Sequence, residues 1–407
     1  MKGALSHLRI LDLSRVLAGP WCTQMLADMG AKVIKVERPG AGDDTRSWGP
    51  PYLKDGKGRD TSEAAYYLSC NRGKKSVTLD IAQPEGQDIV RRLAAISDVF
   101  LENYKVGDLA RYGLGYEDLK KINPALVYCS ISGFGQTGPY RLRAGYDFLV
   151  QGMAGFMSIT GEADERPGGG PQKAGVAVTD IMTGMYAAVA LLAALAHRDQ
   201  TGEGQYIDMA LLDVGVGMLA NMNLNYFTTG TAPKRWGNAH ANIVPYQVFA
   251  ASDGHLILAS GNDTQFRKFC DVAGVPELAA DERFASNDAR VRNRELLVPM
   301  LEKMIVKRRR DDWVAALETA GVPCGPINTL EQVFEDPQVR HRELKVEAPH
   351  PLAGSVPMVR TPIRFSATPI EHHVPPPLLG EHTDEILGKL LRMSAEEIAG
   401  LREKRVV

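Results

Sequence analysis

Long apolar runs, patterned cysteines and a surplus of either charge are what this sequence lacks. Lys and Arg number 47 against 49 Asp and Glu, a formal charge of −2, so no global field draws the chain to nucleic acid or an anionic membrane. Any anionic ligand therefore has to find a local basic site. The longest apolar stretch, Met185–Ala196, falls short of the roughly 20 residues that span a bilayer, and no membrane partner is expected. The opening MKGALSHLRILDLS has no apolar core of the secretory kind and reads as mature sequence. The cysteines (Cys22, Cys70, Cys129, Cys270, Cys324) are scattered, odd in number and without a CxxC pair. Neither a disulfide framework nor a zinc site is expected from them, and a reducing, cytoplasmic compartment fits. The histidines show no HExxH or other paired spacing, so no metal is expected. His372-His373 sits among prolines, where exposure is expected.

What is present has the texture of an α/β protein. At 407 residues, two or three domains are expected. In the first half short β-rich runs (Leu8–Leu13, Lys32–Glu37, Ser76–Asp80, Asp98–Glu102, Leu126–Ser132) alternate with helical patterns. That alternation predicts βαβ units and a mostly parallel, doubly wound sheet. Such sheets bind ligands beyond the carboxyl ends of their strands, which puts 14–19, 38–46, 103–111 and 133–140 on one rim. A strong helix is predicted over Ile181–His197, and a helical run over Leu211–Tyr226. Beyond them Tyr246–Ala250, Asp253-Gly254 and His255–Ala259 read as strand, turn and strand of a smaller α+β domain. The proline-bearing tail from Ala348 to Pro377 reads as an extended arm, with a final helix from near Thr383 returning to the first domain. The division expected is a large Rossmann-like domain over 1–200, a linker over 201–227, a small domain over 228–325, and a return linker with the last part of the large domain over 326–407.

Glu37 follows a strand where a dinucleotide-binding domain keeps its ribose-binding acid. The first turn, however, reads SRVLAGPWC instead of GxGxxG, which speaks against a dehydrogenase. Arg38 next to it is either a surface partner of Glu37 or Asp43, or a phosphate donor. Asn71–Lys75, and Asn103-Tyr104-Lys105 with Arg111, also lie at strand–helix junctions. Cations converging with an aromatic ring suit a phosphorylated nucleotide, although each charge run alone reads as a solvated face. Asp180 heads an apolar helix and has two compatible readings. One is an N-cap; the other is a carboxylate nucleophile that first-turn amides and the helix dipole keep ionised.

Taken together these segments resemble the class III, formyl-CoA transferase type, CoA-transferase family. The resemblance runs from Leu8 to the end and rests on LSRVLAGPWCTQMLADMGAKVIKVERPG (13–40), LENYKVGDLARYGLGYEDL (101–119), SGFGQTGPY (132–140), GYDFLVQGMAGFMSITGE (145–162), AGVAVTDIMTGMYAAVALLAAL (174–195) and PPPLLGEHT (375–383). It implies Asp180 as nucleophile, coenzyme A held by Arg38, Lys75, Asn103, Tyr104 and Arg111, and an interlocked, ring-like homodimer with the two domains joined by long linkers. Coenzyme A is then a substrate, exchanged between an acyl-CoA and a carboxylic acid, and no tightly bound cofactor is implied. The racemase branch of the family pairs its Asp with a His where this chain has Tyr146. A phenol with a pKa of about 10 replaces an imidazole near about 6.5 poorly as a base, so transfer is favoured over racemisation or passive CoA-ester binding. Asp147 and Gln151 are expected to orient the site. Leu17 stands where formyl- and oxalate-specific members carry Gln. GNAHANIVPYQVF (237–249) and GPIN (325–328) look closest to the succinyl-CoA:glutarate branch, so a dicarboxylate is the expected acceptor.

Overall fold

The computed structural model describes residues 3–370 and 373–407. They form two compact units, one built from the chain up to Phe156 with Ala174–Leu224 and Gln338–Val407, the other from Met157–Lys173 and Asn225–Pro337.

The first unit is organised by a six-stranded sheet: β1 (Arg9–Asp12), β2 (Lys32–Glu37), β3 (Lys74–Thr78), β4 (Val99–Glu102), β5 (Val127–Ser132) and β6 (Tyr206–Ala210). Every pairing is parallel and the spatial order is 3-2-1-4-5-6, that of doubly wound nucleotide-binding sheets. Parallel strands must bury both faces, so neighbours within one strand belong to different cores. Ile10 packs with Val33, Leu101 and Ile131 on one side, while Leu11 packs with Ile34, Phe100 and Tyr128 on the other. Helix α1 (Ala18–Asp28) follows β1, and α2 (Pro84–Ala95) starts with proline at its first turn, where no amide is missed. A short helix, α3 (Asp147–Met153), precedes the long α4 (Val178–Thr201).

Helix α4 runs beyond the expected Ile181–His197 and is long and apolar enough, by length and composition, to cross a membrane. One face is a core face: Ala187, Ala188, Leu191, Ala194 and Leu195 are buried in the first core beside α1. The other face leaves Met185, Tyr186 and Val189 exposed.

The expected helix over Leu211–Tyr226 is two helices, Leu211–Gly217 and Asn221–Thr229, with Ala220 at φ 46° between them. The tail holds an antiparallel hairpin, Lys345–His350 with Gly354–Val359, where an extended arm was expected. Its end does return to the sheet: Ile386, Leu387, Ile398, Leu401 and Val406 join the second core. His372 lies outside the described residues, and His373 is half-buried instead of exposed.

In the second unit the strands Tyr246–Ala251, Gly254–Ala259 and Cys324–Pro326 form an antiparallel sheet, packed on helices through Phe249, Leu258, Phe269, Leu301 and Trp313. Arg290 is fully buried there and donates to the carbonyls of Val244 and Phe284 and to Asp263 at 2.6, 2.9 and 2.8 Å.

Candidate active site

Between β1 and β4 the strand order reverses, and the loops leaving these strands open a cleft at their carboxyl ends. The first of them is strained. Val16 has φ 70°, an unfavourable region for a β-branched residue, so its surroundings must hold it there. They do so from two sides. The Asn103 side chain accepts from Arg15 N at 2.9 Å and donates to Arg15 O at 2.8 Å. Val16 N donates to Asp43 Oδ1 at 3.2 Å. Asp43 in turn is buried against Lys35, whose Nζ donates to Asp43 Oδ2 and to the Ser14 carbonyl, each at 2.8 Å. Burial alone would raise the Asp43 pKa, but Lys35 and the bonds from Thr45 hold it down at about 2.

Asp180 enters the cleft from α4. The helix begins at Val178, so Asp180 is in its first turn and does not cap it. The cap is supplied from α3: Asp147 Oδ1 accepts from Thr179 N at 2.8 Å and, less closely, from Asp180 N at 3.4 Å. Gln151 holds Asp147 in place, donating to Oδ2 at 2.6 Å while its own Oε1 accepts from Ala174 N at 2.9 Å. The Asp180 carboxylate has no hydrogen-bond partner among the described residues. Its pKa is pushed up to about 7, first by burial and then by the like charge of Asp147. First-turn amides and the helix dipole were expected to keep this carboxylate ionised; no amide bonds its oxygens among the described residues, and burial with Asp147 acts to raise its pKa. Gly184, one turn on, lets α4 lie directly on α1: a Cβ there would stand 2.6 Å from the Ala18 carbonyl oxygen.

Two cavities meet at this point. A cavity of about 180 Å³ is lined by Asp180, Tyr146, Arg143 and the starts of the β1 and β4 loops, Arg15–Ala18 and Asn103–Val106. Tyr146, 65% exposed, stands at its edge. A second cavity, about 400 Å³, is lined by Arg38, Gly42, Asp80, Ile81 and Tyr112. Arg15, Asp44 and Tyr104 border both and form the shared wall.

Arg38 is exposed and has no ion-pair partner among the described residues, because both acids that could have neutralised it are engaged elsewhere. Glu37 is held bidentately by Arg46 at 2.8 Å and also accepts from Ser76 at 2.6 Å, so it is not free to hold a ribose. Arg111 pairs with Asp108 at 2.7 Å, next to the second cavity without lining it. Lys75 lines neither cavity. It lies near the amino end of β3, opposite Ile34 of β2, and pairs with Glu385 at 2.6 Å. Arg72 and Lys74 from the same run are likewise committed, to Asp28 and Asp12. The carboxyl end of β3 is instead the segment 79–82, which does line the second cavity and which composition did not mark. Sequence reading also missed Asp43, whose importance depends on a buried partner and not on any motif. Among the described residues no group of three His, Cys, Asp or Glu is placed to hold a metal ion.

An unpaired carboxyl that titrates near neutrality, in a cleft at the switch point of the sheet, is suited to covalent catalysis. The similarity of the chain to known proteins points to CoA transfer. Residues 5–383 match the family described as CoA-transferase family III. The succinate--glutarate CoA-transferase of Agrobacterium fabrum is 53% identical over 389 residues, covering 96% of this chain and 96% of that one. The succinyl-CoA:glutarate CoA-transferase of Mus musculus is 47% identical, covering 95% of this chain and 86% of that one. Among solved structures, a CAIB/BAIF family protein from Brucella suis superposes with a TM-score of 0.83 at 52% identity, covering 96% of this chain and all of that one. With the sheet, the cleft and these matches in agreement over nearly its whole length, the chain belongs to CoA-transferase family III and is an enzyme of that family.

Proposed function

We propose that the protein moves coenzyme A from succinyl-CoA to a dicarboxylate such as glutarate, through a covalent thioester on Asp180. The observation that carries this reading is the partition of the cleft. A small cavity holds an unpaired carboxyl with a pKa of about 7, and a larger one with a free guanidinium shares its wall. The acid portion fits the first, and the phosphates and adenine of CoA fit the second. There Arg38 supplies charge-assisted hydrogen bonds and Tyr104 an aromatic face, with Arg111 close by. The names of the relatives favour succinate and glutarate as the acids exchanged.

In this mechanism the Asp180 carboxylate attacks the donor thioester carbonyl. The C–S bond breaks, leaving an aspartyl–acyl anhydride and CoA thiolate. The thiolate then attacks the Asp180 carbonyl of the anhydride, releasing the donor as its carboxylate and leaving CoA bound to Asp180 as a thioester. An acceptor carboxylate repeats the sequence in reverse and regenerates Asp180. Helix α1 begins at the same cavity with no side-chain cap; Pro20 has no amide hydrogen and Trp21 N donates to Leu17 O, which leaves the amides of Ala18 and Gly19 for an oxyanion. Asp147 and Gln151 act as positioning residues, fixing the first turn of α4. Tyr146 borders the acid cavity, and among the described residues no histidine lines either cavity to serve as a second base for racemisation. The exposed apolar face of α4, with Phe148, Leu149 and Met153 of α3 also exposed, supports a homodimer that covers it.

Succinyl-CoA incubated with a panel of acids, with mass spectrometry of the CoA esters formed, tests the reading. Glutaryl-CoA is the expected product, and hydroxylamine added during turnover is expected to leave a hydroxamate on the Asp180 peptide. Asp180→Asn is expected to fold and to lose transfer by roughly four orders of magnitude or more. A label on another residue, or an active Asp180→Asn, would refute the mechanism. α-Hydrogen exchange in a 2-methylacyl-CoA without transfer would indicate a racemase.

A further inference from the structure

The wall of the acid cavity is richer in cations than its own acids require. Arg15, Lys105, Arg141 and Arg143 line it, against Asp44 and Asp180. Arg15 is taken up by Asp44 at 3.0 Å, whereas Lys105, Arg141 and Arg143 have no ion-pair partner among the described residues. The two arginines come from one tight turn, in which Arg141 N donates to Gly138 O at 3.4 Å and Arg143 N to Tyr140 O at 2.9 Å. Arg143 is also pre-set. Its guanidinium lies over Tyr140 at 4.6 Å and over Phe134 at 5.3 Å, and the two rings meet edge-on at 5.7 Å. A guanidinium held over aromatic rings by cation–π attraction spends no conventional hydrogen bond on a carboxylate there, so its fork of N–H groups remains available to one. The rise in the Asp180 pKa has no opposing cation among its causes, which fits arginines that meet the cavity away from the nucleophile.

We propose that Arg143, with Arg141 beside it, receives the second carboxylate of a dicarboxylic acid whose first carboxylate reacts at Asp180, and so selects diacids over monoacids of the same length. This rests on the reading of Asp180 given above. A monoacid would leave the fork as empty as it is in the free enzyme and would forgo a charge-assisted bidentate bond.

The test compares glutarate with pentanoate as acceptors, using butyryl-CoA as donor so that the donor half-reaction makes no demand on the arginine. Arg143→Met is expected to lower kcat/KM for glutarate by roughly 10- to 100-fold, the worth of a charged hydrogen bond, and to change pentanoate by no more than about threefold. Arg143→Lys should recover part of the loss, since it restores charge without the fork. Equal losses for both acids in folded Arg143→Met would place the arginine on coenzyme A and overturn the proposal. An unchanged glutarate preference in both Arg143→Met and Arg141→Met would overturn it too, while leaving the chemistry at Asp180 intact. A wild-type enzyme that prefers pentanoate would refute the diacid reading itself, and this inference with it.

Discussion

Asp180 and Asp147 divide between them two tasks that one aspartate was expected to perform. Asp147 caps α4, and the Asp180 carboxylate is left without a hydrogen-bond partner among the described residues, at a pKa of about 7. An attacking carboxylate must be ionised, so the rate of thioester formation should rise through pH 7 and level off above it. Asp147→Asn removes the like charge, the second cause of the shift, but not the burial that comes first. Its acid limb should therefore move to lower pH without reaching the ordinary carboxylate range. The kcat/KM of the donor half-reaction against pH would show this. An acid limb that stays at the wild-type pH would mean that Asp147 does not set the Asp180 charge.

Among the elements, β1 to β5 were legible because each combines an apolar run with a nearby helical pattern. β6 was not. Tyr206–Ala210 is a partly exposed edge strand with Asp208 in its middle, so its apolar signal is weak. The hairpin Lys345–His350 and Gly354–Val359 was hidden by its prolines, which sheet edges accept. The rim was legible wherever a strand end could be located. It was misread at 71–75, where the basic residues lie before or at the amino end of β3 and pair with carboxylates of the chain itself. Charge in a sequence does not reveal its counterion. Nor does the sequence announce Gly184, whose role follows from how closely α4 approaches α1. Gly184→Ala forces a methyl group against the Ala18 carbonyl and should cost about 1–3 kcal/mol. Because the Asp180 turn moves with the helix, kcat should fall further than the loss of folded protein accounts for. Chemical denaturation together with kcat per folded enzyme separates the two effects, and wild-type values for both would show that α4 can shift freely.

At the scale of the molecule, the exposed stripe Met185, Tyr186 and Val189 is the strongest argument for a second copy of the chain. Tyr186→Glu with Val189→Glu places charge on that face and should shift sedimentation from dimer towards monomer. A wild-type protein that sediments as a monomer would remove the proposed dimer altogether.

The shared wall of the two cavities also bears on how enzymes of this kind diversify. Arg15, Asp44 and Tyr104 belong to both compartments, and the loop behind them is locked by Asn103 and by the buried Asp43–Lys35 pair. On the proposed assignment of the two cavities, substitutions there would disturb recognition of the common thiol carrier and of the variable acid at once. The turn carrying Arg141 and Arg143 touches only the acid compartment. Under the proposed assignment it is the interchangeable part, where a new substrate range would be installed by exchanging a few residues while the handle common to every substrate is gripped as before.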